Sequence, residues 1–221
     1  MQKFDTPAPV SVVLDVPGGR VRLLAAERGD TTVEVRPAEA DSGRDVRAAE
    51  RTTVDLADGV LRIVTAAADH QLLGPTGSLE VTVHLPVGSA VRGKAAAAEL
   101  HTVGRLGDIA FDGAYRGTTI DEAASLELSA VDGDVEVARL TGPARITTTR
   151  GDIRVTEARH GTVELSTRSG SITVGAAAGV SAALDAGTGH GRIDNALRND
   201  GTPALAVRAT TAHGDITARS L

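Results

Sequence analysis

The chain has 221 residues, 29 acidic against 23 basic, and a formal charge of −6. That balance argues against a nucleic-acid partner, because phosphate binding needs a concentrated basic face and these bases are spread along the whole chain. Phe4, Phe111 and Tyr115 are the only aromatic residues, too few to stack bases or sugar rings, and the absence of cysteine excludes disulfides, thiolate metal sites and cysteine nucleophiles.

From Met1 to Pro9 there is no apolar stretch of signal type, and no later run is long enough to cross a bilayer, so the expectation is a cytoplasmic protein without membrane insertion. Val12 and Leu14 precede Pro17-Gly18-Gly19 and Val21 and Leu23 follow it, which predicts two short strands about a glycine turn. Thr31 to Val35 alternates as a strand, and Ala38 to Glu50 reads as a loop or a short helix. Val54 to Ile63 fits either another strand pair of the same kind or a hairpin about Asp58-Gly59. Ala66 to Gly77 reads as a loop, and Ser78 to Leu85 as an alternating strand that ends at Pro86-Val87-Gly88. Residues 1–90 are thus expected to begin and cap a single domain, sharing one core with a more regular part over 91–221.

The regular part repeats. Gly-polar-Ile/Val recurs at Gly107, Gly133, Gly151, Gly170, Gly191 and Gly214, with spacings of 26, 18, 19, 21 and 23 residues. Seven residues before each glycine stand Leu100, Leu126, Ala144, Val163, Leu184 and Val207; two after it stand Ile109, Val135, Ile153, Ile172, Ile193 and Ile216. The residues next to these, six before the glycine and three after it, are polar in eleven of twelve cases, Ala110 being the exception, and the chain returns mostly to apolar residues five before and four after it. Each copy is thus two short strands flanking a glycine corner, each strand with one wet and one dry face. A unit of about 20 residues cannot enclose a core alone, so copies must stack. The expected fold is all-β: a parallel β-solenoid of two main sheets, with hairpins as the competing arrangement. The six glycines are its expected turn residues, where a backbone at positive φ would turn from one sheet to the other.

Stacking also aligns wet positions. The residues six before each glycine include Glu127, Arg145 and Glu164, alternating in sign, and then Asp185 followed by Arg208, so acids meet bases in register. Three before the glycine runs a column of small residues, Ala130, Thr148, Thr167, Thr188 and Thr211.

With its Gly-Asp-Ile/Val copies, the Leu85-Pro86-Val87-Gly88 step and the strand-rich start from Val10, the chain resembles the bacterial putative-adhesin domain family of unknown function, described as β-strand repeat-containing. The resemblance implies a parallel β-solenoid with no established catalytic residues. Its adhesin label implies surface display, from which this sequence is expected to depart, since no export signal is read in it.

Chemistry has few candidates. Asp108, Asp134, Asp152 and Asp215 follow corner glycines, and they read as acceptors for turn amides rather than as calcium ligands, because the Gly-Gly-x-Gly-x-Asp repeat is absent. His190 and His213 occupy the same position in two copies, and stacking would bring them within ~5–6 Å, a spacing that suits a bridging zinc ion, although no third ligand is evident. The longest interval between glycines holds Tyr115, Arg116, Asp121 and Glu122, a surface-site candidate if the interval is a solvated loop. No cofactor is expected. The reading is a non-enzymatic interaction or scaffold module, with a carbohydrate-active or carbohydrate-binding β-helix as the alternative. Asp215 to Leu221 is the expected last rung, open to a protein partner or to a second copy.

Overall fold

The computed structural model describes residues 1–67 and 77–221, so most of the loop expected over Ala66 to Gly77, with His70, lies outside the described residues. The protein is all-β, 72% strand and 4% helix. It divides into two compact units, Met1–Ala114 and Tyr115–Leu221.

In the first unit the strands are β1 (Gln2–Asp5), β2 (Ser11–Ala26), β3 (Asp30–Pro37), β4 (Thr52–Ala57), β5 (Val60–Thr65), β6 (Leu79–Pro86) and the opening part of β7 (Ala90–Leu140), with helix α1 (Gly43–Glu50) after β3. β2 bends at Gly19, whose φ is +112°, and its two halves serve different neighbours. Ser11–Asp15 pairs in parallel with β5, Gly19–Ala26 pairs in parallel with β6, and β7 runs parallel along both halves. The pattern about Pro17-Gly18-Gly19 is therefore a strand–corner–strand unit, as its alternation predicts. Val54 to Ile63 is the hairpin of the two options: β4 and β5 are antiparallel, and Asp58 (φ +51°) and Gly59 (φ +73°) both take the left-handed conformation that a two-residue turn demands. β3 is antiparallel to β1 and β6, so this part is not purely parallel. Val12, Leu14, Leu23, Ile63, Val81 and Val83 fill its core. Gly93 makes room for an aromatic ring, since a Cβ there would come within 2.3 Å of Phe111 Cδ2.

Helix α1 takes up the second half of the Ala38 to Glu50 segment. Ser42 caps it by accepting from the Asp45 amide at 3.4 Å. The Asp45 carboxylate in turn accepts from the amides of Glu39 (3.2 Å) and Ser78 (2.8 Å), tying the segments on either side of the helix together.

β1 is the edge strand, paired with β3, and charge contacts add to that pairing. Arg28 Nε donates to Asp30 Oδ1 at 2.9 Å and Lys3 Nζ lies 3.2 Å from Oδ2, and these bonds, Arg28's first, hold the Asp30 carboxyl down at about 2. Because the folded value lies below the ordinary 3.8, these contacts favour the folded edge above that pH and lose their effect as pH falls through about 2. We expect the amide resonances of Lys3 and Phe4 to shift between pH 4 and pH 2, followed by two-dimensional NMR, and Asp30→Asn to abolish that shift.

The second unit contains the remainder of β7, then β8 (Ala144–Arg150), β9 (Ile153–Ala158), β10 (Gly161–Ser169), β11 (Ile172–Ala176), β12 (Ala182–His190), β13 (Ile193–Ala196), β14 (Leu205–His213) and β15 (Ile216–Ser220). Each strand before a corner glycine pairs in parallel with its equivalents, and so does each strand after it. The dry positions face inward: Val163, Ile153, Ile172 and Ile216 are buried.

Three expectations need correction. Rungs do not stack in chain order: β14 lies between β10 and β12, and β15 between β11 and β13, so the last segment of the chain is inside the ladder. The terminal rung is β12–β13, not Asp215 to Leu221. Gly107 is not a turn at positive φ; Gly104 (+80°) and Gly113 (+89°) take that role in β7. Gly107 is instead a close-approach site, its amide on the Ser89 carbonyl and an added Cβ only 2.7 Å from the Gly88 oxygen. The interval from Gly107 to Gly133 is also not a loop, because β7 runs through it with Phe111, Ala114, Ile120 and Ala123 buried.

Candidate functional site

The second unit is built on residue columns, and each column ends at the terminal rung. Corner glycines form the first: a Cβ on Gly151, Gly170, Gly214 or Gly191 would lie within 2.2 Å of the carbonyl oxygen of the preceding corner glycine. The second is the residue after the glycine. Asp134 Oδ1 accepts from the Asp152 amide (2.8 Å), Asp152 Oδ1 from Ser171 (2.7 Å), Ser171 Oγ from Asp215 (3.3 Å), and Asp215 Oδ1 from Arg192 (2.8 Å). These acids serve the backbone, as acceptors after a glycine should. In the third column Thr167, Thr211 and Thr188 donate to the carbonyls of Gly151, Gly170 and Gly214, while Thr148 turns to Arg150.

The fourth column carries the charges, and the observed order sharpens it. In space it runs Glu127, Arg145, Glu164, Arg208, Asp185, alternating throughout. Glu164 is held from both sides, by Arg145 at 2.6 Å and Arg208 at 3.2 Å. Chain order would set Glu164 beside Asp185, and exchanging the last two rungs removes that like-charge contact. This is the sequence signal from which the exchange could have been read.

At the terminal rung the columns stop. Among the described residues β12 pairs only with β14 and β13 only with β15. Ile193 is 46% exposed, whereas its equivalents Ile153, Ile172 and Ile216 are at most 1% exposed. On the internal rungs, amides at the glycine and at the Ile two residues on donate outward to the next rung, as Gly214 does to His190 and Ile216 to Arg192, both at 2.9 Å. Among the described residues Gly191 and Ile193 have no further rung beyond them. The segment 197–204 covers only the beginning of this edge: the Arg198 carbonyl accepts from Ala182. Asp200 fixes that segment, taking hydrogen bonds from Ser181 and then Thr202 that hold its carboxyl below the usual carboxylate range.

His190 and His213 are brought together, their rings stacked at 4.8 Å between centroids and 16° from parallel. Among the described residues no group of three metal-ligating side chains includes them. Asp121 and Glu122 face a cation: Arg139 Nε donates to Glu122 Oε2 at 3.0 Å and its terminal nitrogen lies 3.5 Å from Asp121 Oδ1. Tyr115 is partly exposed, with the Arg116 guanidinium 6.0 Å from its ring centroid, and Arg116 sits at φ +73°. Among the described residues no helix is long and apolar enough to cross a membrane.

The Toastrack DUF4097 family model matches residues 10–219, which take in every rung described above. The chain belongs to that family. Similar solved structures include a putative adhesin from Bacteroides fragilis, with a TM-score of 0.53 and 15% identity over 98% of this chain and 95% of that one. Others are a putative cell adhesion protein from Clostridium sporogenes (TM-score 0.42, 11% identity, 100% and 98% covered) and a putative lipid binding protein from Parabacteroides distasonis (0.42, 12%, 98% and 95%). At these identities the Toastrack chain shares a fold with the Bacteroides fragilis protein and no more is implied. No curated protein matches the chain.

Proposed function

We propose that this Toastrack chain is a β-solenoid interaction module without catalytic activity, in which coils of about 20 residues stack with their apolar faces together and the terminal rung docks another polypeptide. The observation that carries this reading is the terminal rung itself: one Ile of the repeat column is exposed while its equivalents are buried, beside a backbone edge with no strand beyond it among the described residues. Sheet edges of that kind accept an added strand, with main-chain bonds giving affinity and alternate side chains giving selectivity. The remaining columns hold rung to rung, through the corner acids, the threonines and the alternating charges.

A photo-crosslinking residue at Asn195, exposed on β13, tests this in cells of the native host. The same residue at Arg154, exposed on an internal rung, is the control. We expect a discrete protein adduct from Asn195 and none from Arg154, with the attached peptide identified by mass spectrometry. No adduct from Asn195, or the same adducts from both sites, would overturn the reading.

A further inference from the structure

The columns that end at the terminal rung also state what the next rung must carry. Asp185 has a rung neighbour on one side, Arg208, whereas every internal member of the charge column lies between two residues of opposite sign. Arg192, its side chain 91% exposed, meets the Asp215 carboxylate on its inner side, 3.9 Å away. Asp194 has the neutral Thr217 as its inner neighbour. Thr167, Thr211 and Thr188 each donate inward to a corner carbonyl, which leaves the Gly191 carbonyl to be served by a threonine from beyond.

We propose that the outer edge of β12–β13 accepts a strand–glycine–strand segment of a different protein, running parallel, with a base opposite Asp185, a threonine opposite Thr188, an acid opposite Arg192 and a base opposite Asp194. The inference rests on the docking reading above and adds the chemistry of the partner. A second copy of the same rung in that register would set Asp185 on Asp185, Arg192 on Arg192 and Asp194 on Asp194, so it is the wrong occupant. The required pattern exists within this chain at Ala144 to Ala158, where Arg145, Thr148, Asp152 and Arg154 fall at the four positions. Ile146 and Ile153 would then lie against Ala186 and Ile193. In the folded protein this segment is paired on both sides, β8 between β7 and β10 and β9 between β7 and β11, so it cannot itself be the occupant. It identifies the partner's class: a coil of the same Gly-Asp-Ile type, carried by another chain.

The test uses the full-length protein and a fluorescently labelled peptide of residues 144–158, set against the same peptide carrying Arg145→Glu and Arg154→Glu, with binding followed by anisotropy up to millimolar protein. We expect the basic peptide to bind about tenfold more tightly, since two attractive cross-strand pairs replace two repulsive ones. That preference should shrink severalfold at 1 M salt and in Asp194→Lys, whose cross-strand neighbour is the neutral Thr217. Equal binding, or tighter binding of the acidic peptide, would overturn the charge assignment while leaving strand docking intact. Failure of both peptides to bind would overturn the inference, and the docking reading would still be decided by the Asn195 crosslink.

Discussion

Gly170→Ala is expected to destabilise the second unit by about 2–6 kcal/mol, a large share of the ~5–15 kcal/mol by which a domain is usually folded. Two costs combine. At φ +152° an L-residue is strained, which is worth ~1–3 kcal/mol, and the new Cβ would stand 2.0 Å from the Gly151 carbonyl oxygen, a backbone atom that cannot swing aside. That oxygen also accepts the Thr167 hydroxyl at 3.2 Å, so moving it would disturb a second column. Gly179→Ala separates the two costs, because its φ is +79° and nothing lies within 4 Å of the added methyl. It should cost only the strain, ~1–3 kcal/mol. Urea denaturation midpoints at unchanged slope would measure both. Equal losses would mean that the glycine column is needed for backbone conformation and not for close stacking.

The second large effect compares one residue type at two places in one column. Ile172→Ala, in a fully buried position, is expected to cost ~2–5 kcal/mol through lost burial and the cavity left behind. Ile193→Ala, at 46% exposure on the terminal rung, should cost well under half as much, ~1 kcal/mol or less. Both variants can be measured by the same denaturation curves. Comparable losses would mean that the terminal rung is covered in solution and that its edge is not open to a partner.

The candidate site is partly legible in the sequence. The approach of His190 and His213 follows from their common place in the repeat, and Asp134, Asp152 and Asp215 accept amide hydrogen bonds as their placement after corner glycines demands. Tyr115, Arg116, Asp121 and Glu122 lie in a long interval between glycines, but length alone does not make a loop. Ala114, Ile120 and Ala123 bury that stretch as strand, and Arg139 engages both acids. Gly107 shares the Gly-Asp-Ile signature yet serves close approach, because the tripeptide does not encode which nearby glycine takes positive φ.

Alternation along each strand, glycine at the corners and the identity of every column belong to the sequence by itself, since a period of two is a local property of an extended chain. Which rung lies beside which belongs to the tertiary structure. All rungs offer the same backbone ladder and the same apolar positions, so those features stabilise many orders about equally. The choice falls to contacts between residues far apart in the chain, such as Glu164 with Arg208, 44 residues on. With the last segment inside, Asp185, Arg192, Ile193 and Asp194 lie on the outermost rung, where no single strand of the sequence would have placed them.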